Sequence, residues 1–165
     1  MKTFCRILVL SFITGVVLMC GTAGAGVLYD LAPGTTYQEG CVDPCLCPVM
    51  MSEKVTGTFL LTEQKSNDPW FARYRLSRIA WTVTDPDGAV LHTITGRGIY
   101  QVGGDFALTH QLVLDVRIDG GKLQHLDSFM VVGGSEFPAI AISVDRGTEC
   151  YDIWMDIKAA PAEAQ

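Results

Sequence analysis

Apolar and polar residues alternate along most of the chain from Glu53 onward, and the period is two. Val55, Gly57, Phe59 and Leu61 interleave with Thr56, Thr58, Leu60 and Thr62, which predicts a half-buried strand over 55–62. Ser66-Asn67-Asp68-Pro69 is a loop signal. Residues 70–84 are rich in strand formers, but the apolar parity switches near Ser77. Tyr74 and Leu76 stand at even positions, whereas Ile79, Trp81 and Val83 stand at odd ones. Such a switch predicts a bulge, or one strand bending between two sheets. Trp70, Phe71, Tyr74 and Trp81 are expected in the core, with Trp70 beside Pro69 also a candidate carbohydrate or partner contact.

Asp85-Pro86-Asp87-Gly88 predicts a turn, because proline presets φ and glycine accepts a positive one. Residues 90–100 return from it, and Gly96 and Gly98 mark a bend or a close backbone approach. After Gly103-Gly104 comes the clearest alternation, with Phe106, Leu108, His110, Leu112, Leu114, Val116 and Ile118 on one face. Asp119-Gly120-Gly121 closes a hairpin, 122–132 returns, Gly133-Gly134-Ser135 breaks it, and 138–145 and 151–158 are the last strands. No amphipathic helix of any length interrupts this order. The fold class is therefore all-β: an antiparallel sandwich or up-and-down barrel of about seven or eight strands, the consecutive hairpins favouring the up-and-down order.

The first 52 residues break from the pattern. Lys2 and Arg6 precede an apolar run over 7–19, and Ala23-Gly24-Ala25 offers the small residues a signal peptidase requires, so 1–25 reads as a signal peptide. That run is shorter than the ~20 apolar residues of a bilayer span, and no other segment approaches it. Val17-Leu18-Met19-Cys20 resembles a lipoprotein cleavage box, but Met19 is too large for it; Cys20 and Cys5 are taken as leader residues. Residues 26–52 read as an irregular, cysteine-rich, disulfide-held segment with a short strand near 27–31. Residues 53–158 are the antiparallel domain, and 159–165 are expected to be a flexible tail.

Beyond the leader, ten basic residues face eighteen acidic ones, a net charge of −8. An acidic chain without a run of lysine or arginine argues against nucleic acid and anionic membranes as partners. Four cysteines remain after the leader: Cys41, Cys45, Cys47 and Cys150. An even count in an exported chain reads as two disulfides. Bridging Cys45 to Cys47 fits disulfide geometry poorly across one intervening residue. Two pairings stay open: Cys41–Cys45 with Cys47–Cys150, and Cys41–Cys47 with Cys45–Cys150, the second being the working choice. In either, a long bridge fastens the N-terminal segment to the last strand. The alternative chemistry of this C-x-x-x-C-x-C cluster is a soft-metal site for copper or zinc, or a thiol-redox group. It lacks the paired C-x-x-C spacing of a zinc ribbon.

Residues 39–49 carry the core E-G-C-x-x-P-C-x-C-P-V, and Gly57-Thr58-Phe59, Gly98-x-Tyr100-x-x-Gly103-Gly104 and Val132-Gly133-Gly134-x-x-Phe137-Pro138 accompany it. On these residues the chain resembles small exported bacterial proteins of unassigned function. The resemblance implies a shared exported β-domain and brings no catalytic residue.

One polar group lies on the apolar face of the best strand. A two-residue turn at Asp119-Gly120 or Gly120-Gly121 puts His125, Asp127, Phe129 and Val131 on the same face as His110, with Phe129 opposite His110 in the first register. His110, His125 and Asp127 are then a candidate ligand-binding cluster facing inward. Ser128 and Ser135 lack the context of a nucleophile, and the glycine pairs do not lead into helices, so they are not phosphate cradles. The expected function is a non-enzymatic binding or structural module, secreted or held in the periplasm or cell envelope, with no cofactor or bound metal and with an envelope or extracellular partner. The alternatives are a metal or thiol-redox protein built on the four cysteines, and a small-ligand carrier built on His110, His125 and Asp127.

Overall fold

The computed structural model describes residues 26–41, 45 and 51–163. The expected leader, Cys20 and Cys47 lie outside these residues. Among the described residues there is no helix, and so none long and apolar enough to cross a membrane.

Among the described residues ten strands form one antiparallel sheet: β1 (Val27–Leu31), β2 (Thr36–Gly40), β3 (Glu53–Gln64), β4 (Phe71–Thr84), β5 (Val90–Gly103), β6 (Thr109–Ile118), β7 (Leu123–Asp127), β8 (Val131–Val132), β9 (Ile140–Asp145) and β10 (Asp152–Pro161). β3 to β6 pair in chain order. β7 and β8 lie end to end along β6, β9 meets β7, and β10 pairs with β9. β1 and β2 lie end to end between β10 and β3, so the hydrogen bonding closes into a ring. Ten strands thus fill eight positions, because two of the positions are interrupted. The narrowest seam joins β7 to β9 through one residue pair, Asp127 opposite Asp145.

The alternation explains the ring's inside and outside. On β6, His110, Leu112, Leu114 and Val116 are buried while Gln111, Val113, Asp115 and Arg117 face out. The parity switch in β4 is a bulge: the register with β5 slips between Leu76 and Ile79, the register with β3 slips between Thr58 and Leu60, and Arg78 takes a φ of 53°. Both Leu76 and Ile79 therefore reach the interior. Gly57 lies opposite Trp81, and a Cβ there would stand 2.1 Å from the Ala80 carbonyl oxygen, so the strands approach where no side chain fits.

Trp81, Tyr29, Tyr37, Tyr100 and Phe59 fill the interior with aliphatic residues from every wall. Tyr29 stacks on Phe59 at 5.2 Å, and Phe59 meets the edge of Trp81 at 6.1 Å. Each large apolar side chain removed from water contributes roughly 1.5–3 kcal/mol.

Four expectations change. Residues 159–161 are not a flexible tail: Tyr29, Asp30 and Leu31 pair with Pro161, Ala160 and Ala159, and the Ala162 N–H donates to Leu28 O at 2.8 Å. Short alanines carry little alternation signal even when a strand holds them. Residues 36–40 form a strand, held between β10 and β3, and carry little alternation signal because Tyr37 alone of that segment is buried. Phe106 and Leu108 leave the β6 face, since the hairpin after Gly103 resumes only at Thr109 and 104–108 form its loop. Phe106 is 99% exposed, and Trp70, which precedes β4, is 58% exposed instead of buried.

Candidate functional site

The hairpin between β6 and β7 decides where the expected cluster goes. Asp119 and Gly120 both have positive φ, and the Gly121 N–H donates to Ile118 O at 2.8 Å, which closes a tight turn. One further residue is then used before the ladder starts, because Arg117 pairs with Leu123 and its guanidinium donates to Gly121 O at 2.7 Å. The extra residue shifts the register by one and turns β7 over. His125 lies opposite Asp115 and Asp127 opposite Val113, both on the outer wall, while His110 stays inside. The three residues share no face, and Val131, not Phe129, pairs with His110.

His110 is 2% exposed. Its Nδ1 shares a hydrogen bond with the Tyr100 hydroxyl at 3.3 Å. Burial lowers the pKa of His110, and burial above all pushes Tyr100 up to about 12. At neutral pH the pair is therefore an uncharged imidazole beside a protonated phenol, and among the described residues no carboxylate is hydrogen-bonded to either. Gly134 covers the ring so closely that a Cβ on it would lie 2.1 Å from His110 Cε1. A groove of about 530 Å³ touches the same histidine at Val131 and Ile142, where β8 and β9 are not paired.

On the outer wall, His125 Nδ1 lies 2.9 Å from Asp115 Oδ1. Asp127 accepts from Gln111 Nε2 at 2.9 and 3.2 Å and from the Phe129 N–H at 2.8 Å. These are ordinary surface contacts, and each carboxylate is already engaged.

The third histidine has the densest polar surroundings. His92 Nδ1 lies 2.7 Å from Asp119 Oδ2, and its Nε2 lies 3.7 Å from Glu39 Oε1. The buried Tyr37 hydroxyl donates to Glu39 Oε2 at 2.5 Å, and desolvation raises the Tyr37 pKa. Glu53 adds a buried carboxylate oxygen with no hydrogen-bond partner among the described residues. A pocket of about 270 Å³ joins Tyr37, Glu39, Glu53 and His92 to Met51 and Leu91. Sequence reasoning passed over His92 because it sits at the ragged start of β5. The missing signal was the β5–β6 register, which carries the start of β5 to Asp119. Among the described residues no group of three or more histidine, cysteine, aspartate or glutamate side chains is arranged to hold a metal ion.

Cys45 is bonded to Cys150, 105 positions away, and ties the N-terminal segment to the loop before β10. Cys41 is also disulfide-bonded. A cysteine in a disulfide has no thiolate to give a metal. The Cys41–Cys47 pairing concerns Cys47, which lies outside the described residues.

The opposite end of the ring exposes apolar side chains. Trp70, Phe71, Phe106 and Ala107 line a groove of about 440 Å³ with Asp68 and Asp105. Compared with protein-family models, with curated proteins and with solved structures, the chain finds no match.

Proposed function

We propose that the chain is an exported, non-enzymatic binding module that acts at the cell envelope or outside it, through its outer surface. The observation that carries this reading is the filled ring. Trp81, Tyr29, Tyr37, Tyr100 and Phe59 occupy the space in which a closed sheet of this size holds a small ligand when it holds one. What is left for recognition is the surface, where Trp70 and Phe106 stand out in water at one end. The resemblance to exported bacterial proteins, the leader pattern of residues 1–25 and the Cys45–Cys150 bond support the location, because such bonds persist in oxidising compartments.

The test is expression of the full chain in a bacterial host, followed by fractionation, intact mass and thiol titration. The expected product lies outside the cytoplasm, lacks the leader, has no titratable thiol, and is retained saturably by isolated envelopes in co-sedimentation. A full-length cytoplasmic product overturns export. Reduced cysteines with a metal-sized excess in native mass put the metal reading in its place, and absence of saturable retention overturns the binding role.

A further inference from the structure

The fold gathers five exposed arginines on one stretch of outer wall, half of the basic residues that follow the leader. Arg73, Arg75 and Arg78 stand on β4, Arg97 on β5 and Arg117 on β6. The registers set them on a diagonal. Arg73 lies opposite Gln101 and Arg75 opposite Ile99, Arg97 lies opposite Asp115, and Arg117 lies opposite Thr95. From Arg75 to Arg97 to Arg117, each step crosses one strand and moves two residues along it. With strands ~4.8 Å apart and a rise of ~3.3 Å per residue, the steps are ~7–8 Å. The β4 bulge places Arg78 with Ser77 opposite Arg97.

These charges are poorly compensated. Arg97 has Asp115 at 3.7 Å, but the other oxygen of that carboxylate faces His125. Arg117 donates to a backbone carbonyl. Arg73, Arg75 and Arg78 have no ion pair or hydrogen bond among the described residues, and the side chains opposite Arg75 and Arg73 on β3 are Thr62 and Gln64. Neighbouring like charges destabilise a sheet. In an acidic chain with carboxylates to spare, leaving this row unpaired suits a ligand that supplies the anions.

The row flanks a groove of about 450 Å³ lined by Arg75 and Arg97 together with Ile99, Val113 and Asp115, whose carboxylate is already shared between Arg97 and His125. Guanidinium forks bind carboxylate, phosphate or sulfate through paired hydrogen bonds. A narrow row, two residues wide only where Arg78 stands beside Arg97, fits a chain and not a flat lipid surface. Its floor offers no aromatic ring on which a nucleic-acid base would stack. We propose that this diagonal is the binding site for an anionic polysaccharide, with Arg75 and Arg97 at its centre. The assignment rests on the export reading, since such polymers are met outside the cytoplasm.

The test uses the purified mature protein and polygalacturonate as probe, titrated at about 25 mM and about 300 mM salt. Neutral dextran, single-stranded DNA and phosphatidylglycerol vesicles are measured beside it. Polygalacturonate is expected to bind saturably at low salt and at least about tenfold more weakly at high salt. Arg75→Gln with Arg97→Gln should weaken it about tenfold or more at an unchanged melting temperature, while Lys158→Gln on the far wall leaves it unchanged. Absence of binding at low salt, or equal affinity in the double variant, overturns the site. Tighter binding of DNA or vesicles than of polygalacturonate overturns the ligand class. Export is read separately by fractionation, so an exported protein that ignores the polymer defeats this inference alone.

Discussion

Asp119 Oδ2 lies 2.7 Å from His92 Nδ1, which ties the β6–β7 turn to the first residues of β5. Asp119 Oδ1 also accepts the Thr93 N–H at 2.8 Å. The hydrogen bond from His92, and after it the one from Thr93, lowers the Asp119 pKa. A carboxylate whose folded pKa lies below its unfolded value adds stability above the unfolded pKa and loses it as pH falls through the folded one. Asp119→Asn should therefore melt below the parent at neutral pH, and the two curves should converge in strong acid. Melting temperatures across an acid series check this; a gap that survives at the lowest pH would mean the charge is not its source.

His110 gives the opposite kind of group the same sign. It is buried as the neutral ring, so its folded pKa lies below the ~6.5 of an unfolded histidine. Below that value the unfolded chain binds more protons than the folded one, and stability falls as pH drops toward the folded pKa. His110→Gln, which keeps a partner for Tyr100, should flatten the fall of stability between about pH 7 and pH 5. Denaturant titrations at several pH values decide it, and an unchanged slope would remove His110 as the cause.

Much of this fold was legible because burial imposes a period of two. The alternation of Leu112, Leu114 and Val116 located β6, and the parity change between Leu76 and Ile79 located the bulge in β4. What escaped depended on register, which one residue controls. Asp119-Gly120-Gly121 looks like a two-residue turn in the sequence, yet its third residue sends His125 and Asp127 to the outer wall. The arginine diagonal escaped for the same reason. Its members span positions 73 to 117, and only the pairing of three strands makes them neighbours. His92 and Asp119 are 27 positions apart and meet because the β5–β6 ladder runs out to Ile94 and Ile118, just short of both.

The Cys45–Cys150 bond closes a loop of 105 positions in a ring whose N-terminal and C-terminal strands are neighbours. A cross-link over so long a loop restricts the unfolded chain strongly, so Cys45→Ala with Cys150→Ala should cost about 2–5 kcal/mol. In a domain of this size that is a loss of roughly 5–20 °C in melting temperature. Circular dichroism should still report a β-rich fold, because the β2–β10 ladder does not need the bridge. A variant as stable as the parent would show that the bond does not constrain the unfolded state.

Gly134 covers His110 with a φ of 100°, and a Cβ on it would lie 2.1 Å from Cε1 and 2.5 Å from Nε2 of the ring. Two costs follow for Gly134→Ala. The left-handed backbone strains any L residue by about 1–3 kcal/mol, and the clash adds about 1–3 kcal/mol of overpacking. Only the second depends on His110. In a double-mutant cycle, Gly134→Ala should therefore cost about 1–3 kcal/mol less in the His110→Ala background than in the parent. Chemical denaturation of the four proteins measures the coupling. A coupling near zero would mean that the loop, and not the histidine beneath it, dictates glycine at this position.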